Sequence, residues 1–329
     1  MTVTLPATLS RVTTRDLRPR YEGSNICTWI GFKHVNYLVE EAVLDHFRQA
    51  GIAARQLFEE HGLGLDILSL DTRILTALHM DDVATAEVGP PRRAAAEGLW
   101  FAVTLTVQRA GVAVKAVTSK VRVAFRTDSR GGPGAPVPAQ ISPYVVDVIG
   151  GAEPIDLAVP VSTNASLANG RGTSADDPVL AALTAGRNAF GWRWRMPYFY
   201  CHFTERVQMS GYLRQMEEVV DLFLADRGIS IKSLLEDRDW IPVVPHASVE
   251  LVGEALMEED LYTVYTVEEI FKGVTYTSRM DCYVARDGKL VQTATGIITH
   301  GYAVIENRRD WSLVDFDERV LRALRGAKP

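Results

Sequence analysis

One stretch of this chain occurs twice, about 176 residues apart, and no other sequence feature limits the possible folds as strongly. Each copy has a Tyr-Leu pair, an acidic pair inside a helical run, and a Gly-Ile pair where the run ends. The matched pairs are Tyr37-Leu38, Glu40-Glu41 and Gly51-Ile52 in the first copy, and Tyr212-Leu213, Glu217-Glu218 and Gly228-Ile229 in the second. The spacing is 175 at the tyrosines and 177 at the glutamates, which predicts two extra residues at the start of the second helix.

Each predicted helix is followed by three or four segments with the pattern of β-strands. In the second copy apolar and polar residues alternate along 274–285, and Asp287-Gly288 predicts a hairpin turn after them. A further strand is predicted before each helix, at 20–29 and at 192–203. One long helix with one antiparallel sheet in each unit predicts an α+β fold.

The middle of the chain has the composition of a connection between two units. It is rich in Gly and Pro near 131–138, and in Ser, Asn, Gly and Asp near 162–177. A connection this long is unusual within one domain and natural between two. We therefore predict a first domain at 15–127, a linker at 128–190, a second domain at 191–306, and a C-terminal tail with a short helix at 307–329.

Composition argues against several classes of function. With 35 basic and 41 acidic residues the formal charge is −6, which disfavours nucleic acid or an anionic membrane as the main partner. No apolar run approaches the roughly 20 residues that span a bilayer, and residues 1–20 lack the pattern of a secretory signal, so we expect a cytoplasmic protein. The three cysteines lie far apart, so we expect no disulfide framework and no metal site. The Gly-rich runs lack the lysine and the strand–helix context of a phosphate loop, so we also expect no cofactor.

Two equivalent glutamates are the first candidates for catalysis. At about 100° of rotation per residue, Glu40 and Glu217 fall at the border of the apolar face of their helices. A carboxylate there is partly desolvated, which raises its pKa and suits a general base near neutral pH. The alternative interpretation is a carboxylate at the rim that pairs with a nearby arginine.

Polar residues near the two helix starts complete the candidate site. His34 and Asn36 are predicted just before the first helix, as catalytic residues that activate water or hold a carbonyl oxygen, or alternatively as helix caps. Ser210-Gly211 places backbone N–H groups at the second helix start, and His202 and Glu205 are predicted on the strand that leads into it. The predicted substrate-binding residues are Tyr37, Glu205, Ser210, Gly211 and Tyr212.

The sequence around the predicted start of the first helix is Lys33-His34-Val35-Asn36-Tyr37-Leu38-Val39-Glu40-Glu41. This stretch resembles a recurrent motif of the hot-dog fold thioesterases, in which Gly-His-Val-Asn-Asn precedes a Tyr-Leu pair and an acidic helix residue. The leader Tyr21-Glu22, followed by Asn36, Glu40 and His46, is similar to the N-terminal half of the acyl-ACP thioesterases, which are tandem hot-dogs. That family has its catalytic Asp, Asn and His in the second half, where this chain has 205–212, without the His and the Asn.

The resemblance, to the superfamily of 4-hydroxybenzoyl-CoA thioesterase-like and acyl-ACP thioesterases, implies two tandem hot-dog domains. Each would be a long antiparallel sheet wrapped around a central helix, the two packed as a pseudo-dimer. It implies a cofactor-independent thioesterase for an acyl or polyketide chain carried on acyl carrier protein (ACP) or CoA. The alternatives are a dehydratase, hydratase or cyclase of the same fold, and a non-catalytic acyl-binding protein. A homodimer of double hot-dogs is a further expectation.

Overall fold

The computed structural model describes residues 9–95, 98–130, 132, 134–161, 177–308 and 310–327. The chain divides into two compact units, Met1–Ile149 and Gly150–Pro329, so the boundary falls inside the predicted linker. Residues on both sides of it belong to the units: Tyr144 is buried in unit 1, and Leu157 packs on the core of unit 2. The Ser- and Asn-rich part of the predicted linker, 162–176, lies outside the described residues.

Unit 1 contains an antiparallel sheet with one long helix packed on it. In chain order its elements are β1 (Thr13–Leu17), α1 (Phe32–Gln49), α2 (Ala54–His61), β2 (Leu63–Ile74), β3 (Ala84–Val88), β4 (Arg93–Ala95), β5 (Gly98–Arg109), β6 (Val112–Thr127) and β7 (Val145–Val146). The strands are ordered β1-β3-β5-β6-β2, with β4 beside β5 and β7 parallel to β6. Helix α1 lies against β1, β2, β3 and β5, and its Phe47 packs edge-to-face on Phe101 and Phe125 in the core.

Unit 2 repeats this arrangement. Its elements are α3 (Pro178–Thr184), β8 (Ala189–Arg195), α4 (Met209–Asp226), α5 (Ile231–Arg238), β9 (Trp240–Leu251), β10 (Asp260–Phe271), β11 (Thr275–Arg286), β12 (Lys289–Ile305), β13 (Trp311–Leu313) and α6 (Glu318–Leu324). The strand order β8-β10-β11-β12-β9 is the order of unit 1, and α4 lies against β8, β9 and β10. The predicted α+β class and the antiparallel sheet with one central helix are therefore confirmed in each unit.

A single spacing relates the two units, and it corrects the sequence alignment. Helices α1 and α4 are both 18 residues long and begin 177 positions apart (209 − 32), and strands β5 and β11 show the same spacing (275 − 98). Left-handed backbone recurs at this spacing, at Asp81 and Glu258 and at the helix ends Gly62 and Asp239. The spacing of 175 at the Tyr-Leu pairs, with two extra residues in the second helix, is therefore wrong, since Tyr212 is the counterpart of Val35.

The strands predicted before the helices also need correction. Residues 20–29 form a short 3-10 helix, Tyr21–Gly23, and a loop in which Cys27 has a left-handed backbone conformation (φ 71°). The edge strand of unit 1 is β1, earlier in the chain. In unit 2 the strand ends at Arg195, and the rest of the predicted segment forms the 3-10 helix Tyr198–Tyr200 and a loop. Among the described residues, every helix is too short or too polar to cross a membrane.

Candidate functional site

The start of α1 differs from the prediction. The helix begins at Phe32 after the N-cap residue Gly31, so His34 and Asn36 are its third and fifth residues and neither caps it. Both side chains are buried. Because Asn36 and Glu40 are four residues apart, they lie on the same side of the helix, one turn from each other.

Hydrogen bonds hold the Asn36 side chain in one orientation. Its Nδ2 donates to the Phe32 carbonyl oxygen (2.9 Å), and its Oδ1 accepts a hydrogen bond from Thr72 Oγ1 on β2 (2.6 Å). The Thr72 hydroxyl is also bonded to Ser119 Oγ on the paired strand β6 (2.7 Å). Asn36 is only 1% exposed, so the polar groups of this chain of contacts satisfy one another away from water.

Thr72 and Ser119 were missed in the sequence, although a signal was present. Thr72 is in phase with the buried Leu68 and Leu70 on β2, where alternation predicts an apolar side chain. A small hydroxyl residue at such a position indicates a buried polar contact. The identity of the contact, a helix residue 36 positions earlier, depends on the fold.

Glu40 is half-buried at the border of the apolar face of α1. Burial of its carboxyl group, together with the negative charge of the neighbouring Glu41, raises its pKa to about 7. Within the part of the chain that the structure describes, no group donates a hydrogen bond to this carboxyl group or forms an ion pair with it. The alternative interpretation, a rim carboxylate paired with an arginine, therefore does not describe Glu40 within these residues.

The His34 ring packs against the 3-10 helix that precedes α1. Its Nε2 lies 3.6 Å from Glu22 Oε1, and the ring meets the half-buried Tyr37 edge-on, with 5.1 Å between centroids. Gly23 permits this packing, because a Cβ atom on it would lie 2.7 Å from His34 Cγ. The close approach of the Gly23 backbone thus holds the His34 ring at the start of α1.

Unit 2 has the opposite pair of residues at the same two positions. The counterpart of Gly23 is Tyr200, and the counterpart of His34 is Gly211, each 177 positions later. A Cβ atom on Gly211 would lie 2.9 Å from the Tyr200 carbonyl oxygen and 3.1 Å from its Cβ. One backbone hydrogen bond is kept in both units: Gly31 N donates to Gly23 O, and Gln208 N donates to Tyr200 O, both at 3.0 Å.

The other predicted residues of unit 2 are divided between the core and the surface. Glu217 is half-buried at the helix position that Glu40 occupies, and Tyr212 is fully buried on the core side of α4. Glu205 is exposed in the loop before α4, and its carbonyl oxygen accepts a hydrogen bond from Met257 N (2.8 Å). Ser210, the second residue of α4, is hydrogen-bonded to His202, with 2.6 Å between Oγ and Nε2.

The structure thus brings the predicted residues together in two sets. His34, Asn36, Tyr37 and Glu40 lie on α1, and Ser210, Gly211, Tyr212 and Glu217 lie on α4. The sets differ in chemistry, because α4 has Gly211 and Leu213 at the positions of His34 and Asn36. Within the described ranges, no group of three or more His, Cys, Asp or Glu residues is arranged to hold a metal ion.

Comparison with known proteins shows similarity in structure. No family model and no curated protein matches the sequence. A Lactobacillus plantarum protein provisionally assigned as an oleoyl thioesterase has a similar structure, with a TM-score of 0.54, 13% identity, and coverage of 92% of this chain and 99% of that one. The 12:0-ACP thioesterase of Umbellularia californica has a TM-score of 0.54 at 12% identity, over 88% of this chain and 93% of its own.

An acyl-ACP thioesterase of Bacteroides thetaiotaomicron is similar too, with a TM-score of 0.51 at 11% identity, over 88% of this chain and 97% of that one. At such low identities the likeness concerns the fold. It covers nearly the whole of both chains and agrees with the strand order and central helix of each unit. The chain therefore has the tandem hot-dog fold found in these thioesterases.

Proposed function

We propose that this chain hydrolyses an acyl thioester carried on the phosphopantetheine thiol of ACP or CoA, without a cofactor and with Glu40 as general base. The observation that carries the proposal is the Glu40 carboxyl group: half-buried, without an ion-pair partner among the described residues, and with a pKa of about 7. A group with this pKa is present in both protonation states near neutral pH and can accept a proton and return it. The fold, shared with acyl-ACP thioesterases, supports this class of substrate.

In the proposed reaction, ionised Glu40 takes a proton from water, and the water oxygen bonds to the thioester carbonyl carbon. The carbonyl oxygen then carries a negative charge, whose stabilisation we assign to N–H groups in the first turn of α1 and to the His34 ring. When the C–S bond breaks, Glu40 returns its proton to the departing thiolate. The products are a carboxylic acid and a free thiol.

We assign a positioning role to Asn36, because its side chain is enclosed and hydrogen-bonded on both sides. It fixes the face of α1 that presents Glu40. We assign catalysis to Glu40 rather than to Glu217, because α4 has Gly211 and Leu213 where α1 has His34 and Asn36.

The substitutions Glu40→Gln and Glu217→Gln form a matched pair for the test, since both remove a carboxylate at the same helix position. Release of thiol from decanoyl-CoA and decanoyl-ACP would be followed with a thiol-reactive dye. We expect Glu40→Gln to lower kcat/KM by about 100-fold or more, and Glu217→Gln to leave kcat near the wild-type value. Circular dichroism checks that both variants are folded.

Two results would contradict the proposal: unchanged thiol release by Glu40→Gln, or a loss of kcat confined to Glu217→Gln. Comparison of the two substrates also shows which carrier the enzyme uses. CoA and ACP both present the acyl group on a phosphopantetheine arm, but only in ACP is this arm attached to a protein. An enzyme that requires the carrier protein would release thiol only from decanoyl-ACP.

A further inference from the structure

Unit 2 contains a serine and a histidine in direct contact, and the proposed reaction of Glu40 does not use them. Ser210 is the second residue of α4, and His202 lies in the loop between Tyr198–Tyr200 and the helix. Ser210 Oγ and His202 Nε2 are 2.6 Å apart, within the range of a strong hydrogen bond. With the proton of the imidazole on Nδ1, Nε2 accepts the hydrogen of the serine hydroxyl.

The surroundings of His202 favour its role as an acceptor. Its pKa is lowered by partial desolvation and by the positive charge of Arg214, so the neutral imidazole is favoured near pH 7. Arg214 follows Ser210 by one helical turn, and its guanidinium group lies over the Tyr200 ring, 5.7 Å from the centroid. A neutral imidazole bonded to a hydroxyl group is the arrangement in which histidine activates a serine nucleophile.

Unit 1 has the same order of elements at these positions without this pair. The counterparts of His202 and Ser210 are Asn25 and Lys33, and the 3-10 helix and the helix start are both retained. An asparagine side chain cannot accept a proton at neutral pH, and a lysine ammonium group is not a nucleophile. The pair is therefore specific to unit 2 and does not follow from the fold itself.

Exposed aromatic side chains flank the serine and the histidine. Tyr198 is 71% exposed, Phe199 57% and Phe203 49%, and all three lie within five residues of His202. Large exposed apolar side chains in one short segment are typical of a binding surface. The chemical class that matches them is an apolar chain, such as the alkyl part of an acyl group.

We propose that Ser210 is a nucleophile activated by His202, and that it accepts an apolar acyl group as an ester on Oγ. This inference rests on the proposed function for the thioester as acyl donor, and it adds a second, slower route of hydrolysis that continues in Glu40→Gln. The Oγ–C bond forms while the serine proton moves to His202 Nε2. The C–S bond then breaks, and His202 gives that proton to the thiolate. Water, deprotonated by His202, attacks the ester carbonyl carbon, the C–Oγ bond breaks, and the proton returns to Oγ.

The test uses the full chain and a decyl fluorophosphonate, which reacts with activated serines: the Oγ–P bond forms, the P–F bond breaks, and hydrogen fluoride is lost. Peptide mass spectrometry locates the adduct. We expect a single adduct on Ser210, none in Ser210→Ala, and labelling slowed by about tenfold or more in His202→Asn. Ser233→Ala is the matched control, because Ser233 lies in the first turn of α5 and its hydroxyl donates to Ser230 O (2.9 Å). It should be labelled at the wild-type rate.

Absence of an adduct on Ser210 in the wild type would overturn the proposal, as would wild-type labelling rates in His202→Asn. The probe contains no thioester, so this result is independent of the proposed function. Labelling of Ser210 in a protein that releases no thiol would support the nucleophile and contradict the thioesterase. Thiol release that depends on Glu40, without labelling of Ser210, would support the thioesterase and contradict the nucleophile.

Discussion

Glu40 must lose its proton before it can take one from water, so the proposed reaction depends on pH. With a pKa of about 7, the ionised fraction of this carboxyl group rises from pH 6 to pH 8. We expect kcat/KM to rise with pH with an apparent pKa of about 7 and to level off above it, and the residual activity of Glu40→Gln to lack this step. Initial rates of thiol release across this range measure both. A wild-type profile without a step near pH 7 would exclude Glu40 as the base.

Individual residues differ in how far the sequence predicts their surroundings. The border position of Glu40 follows from helical periodicity, since residue spacing sets the helix face. The raised pKa of its carboxyl group does not follow from the sequence, because the pKa depends on which atoms of the folded chain cover this group. Asn36 was predicted before the helix because asparagine is a preferred N-cap, whereas its observed partner, Thr72, comes from a strand 36 residues later.

The Asn36 side chain links helix α1 to strand β2 through its hydrogen bond with Thr72. In Thr72→Val the hydroxyl is replaced by a methyl group of similar size, so Asn36 Oδ1 stays buried without its donor. We expect a loss of roughly 1–3 kcal/mol in the free energy of unfolding and a lower kcat with little change in KM. Denaturant unfolding and steady-state kinetics measure these effects.

Thr118→Val is the control, because Thr118 is half-buried on β6 beside Ser119 and its side chain points to the other face of the sheet. It should leave both quantities near their wild-type values. Equal losses in the two variants would mean that Thr72 stabilises the sheet and does not position Asn36.

Strands with clear alternation were predicted within a residue or two, and the edge strand β1 was missed. The predicted alternating segment 274–285 corresponds to β11 (Thr275–Arg286). In β1 the stabilising contacts are polar: Arg15 donates to Asp45 (2.6 Å), and Asp16 accepts from Thr85 (2.7 Å). An edge strand held by polar contacts lacks the alternation of apolar and polar residues from which a strand is predicted. The segment 20–29 has apolar residues, but its backbone includes a 3-10 helix and a left-handed residue.

At the scale of the whole molecule, the boundary between the units depends on a glycine. Gly150 begins unit 2 with φ at +73°, and a Cβ atom on it would lie 1.9 Å from the Val252 carbonyl oxygen. We expect Gly150→Ala to lower stability by roughly 1–3 kcal/mol, because the backbone must move or bear strain. Gly151→Ala is the matched control, since a Cβ atom there meets nothing within 4 Å.

Calorimetry of both variants measures this effect. A thermal transition in Gly150→Ala at the same temperature as in Gly151→Ala would show that the boundary tolerates a side chain.

The repeat itself was predictable at this scale, because the helical runs and strand patterns recur in order. Its true spacing was not, since it follows from buried positions and backbone conformations rather than from the matching Tyr-Leu pairs.

The two helix starts also constrain which substitutions each unit tolerates. Unit 1 combines Gly23 with His34, and unit 2 combines Tyr200 with Gly211 at the same two facing positions. Because a side chain added to either glycine meets its partner, neither combination converts into the other by a tolerated single substitution. Transfer of the His34 chemistry to unit 2 would therefore require more than Gly211→His, because the new Cβ atom would meet the Tyr200 backbone carbonyl oxygen at 2.9 Å and the Val207 side chain at 3.0 Å.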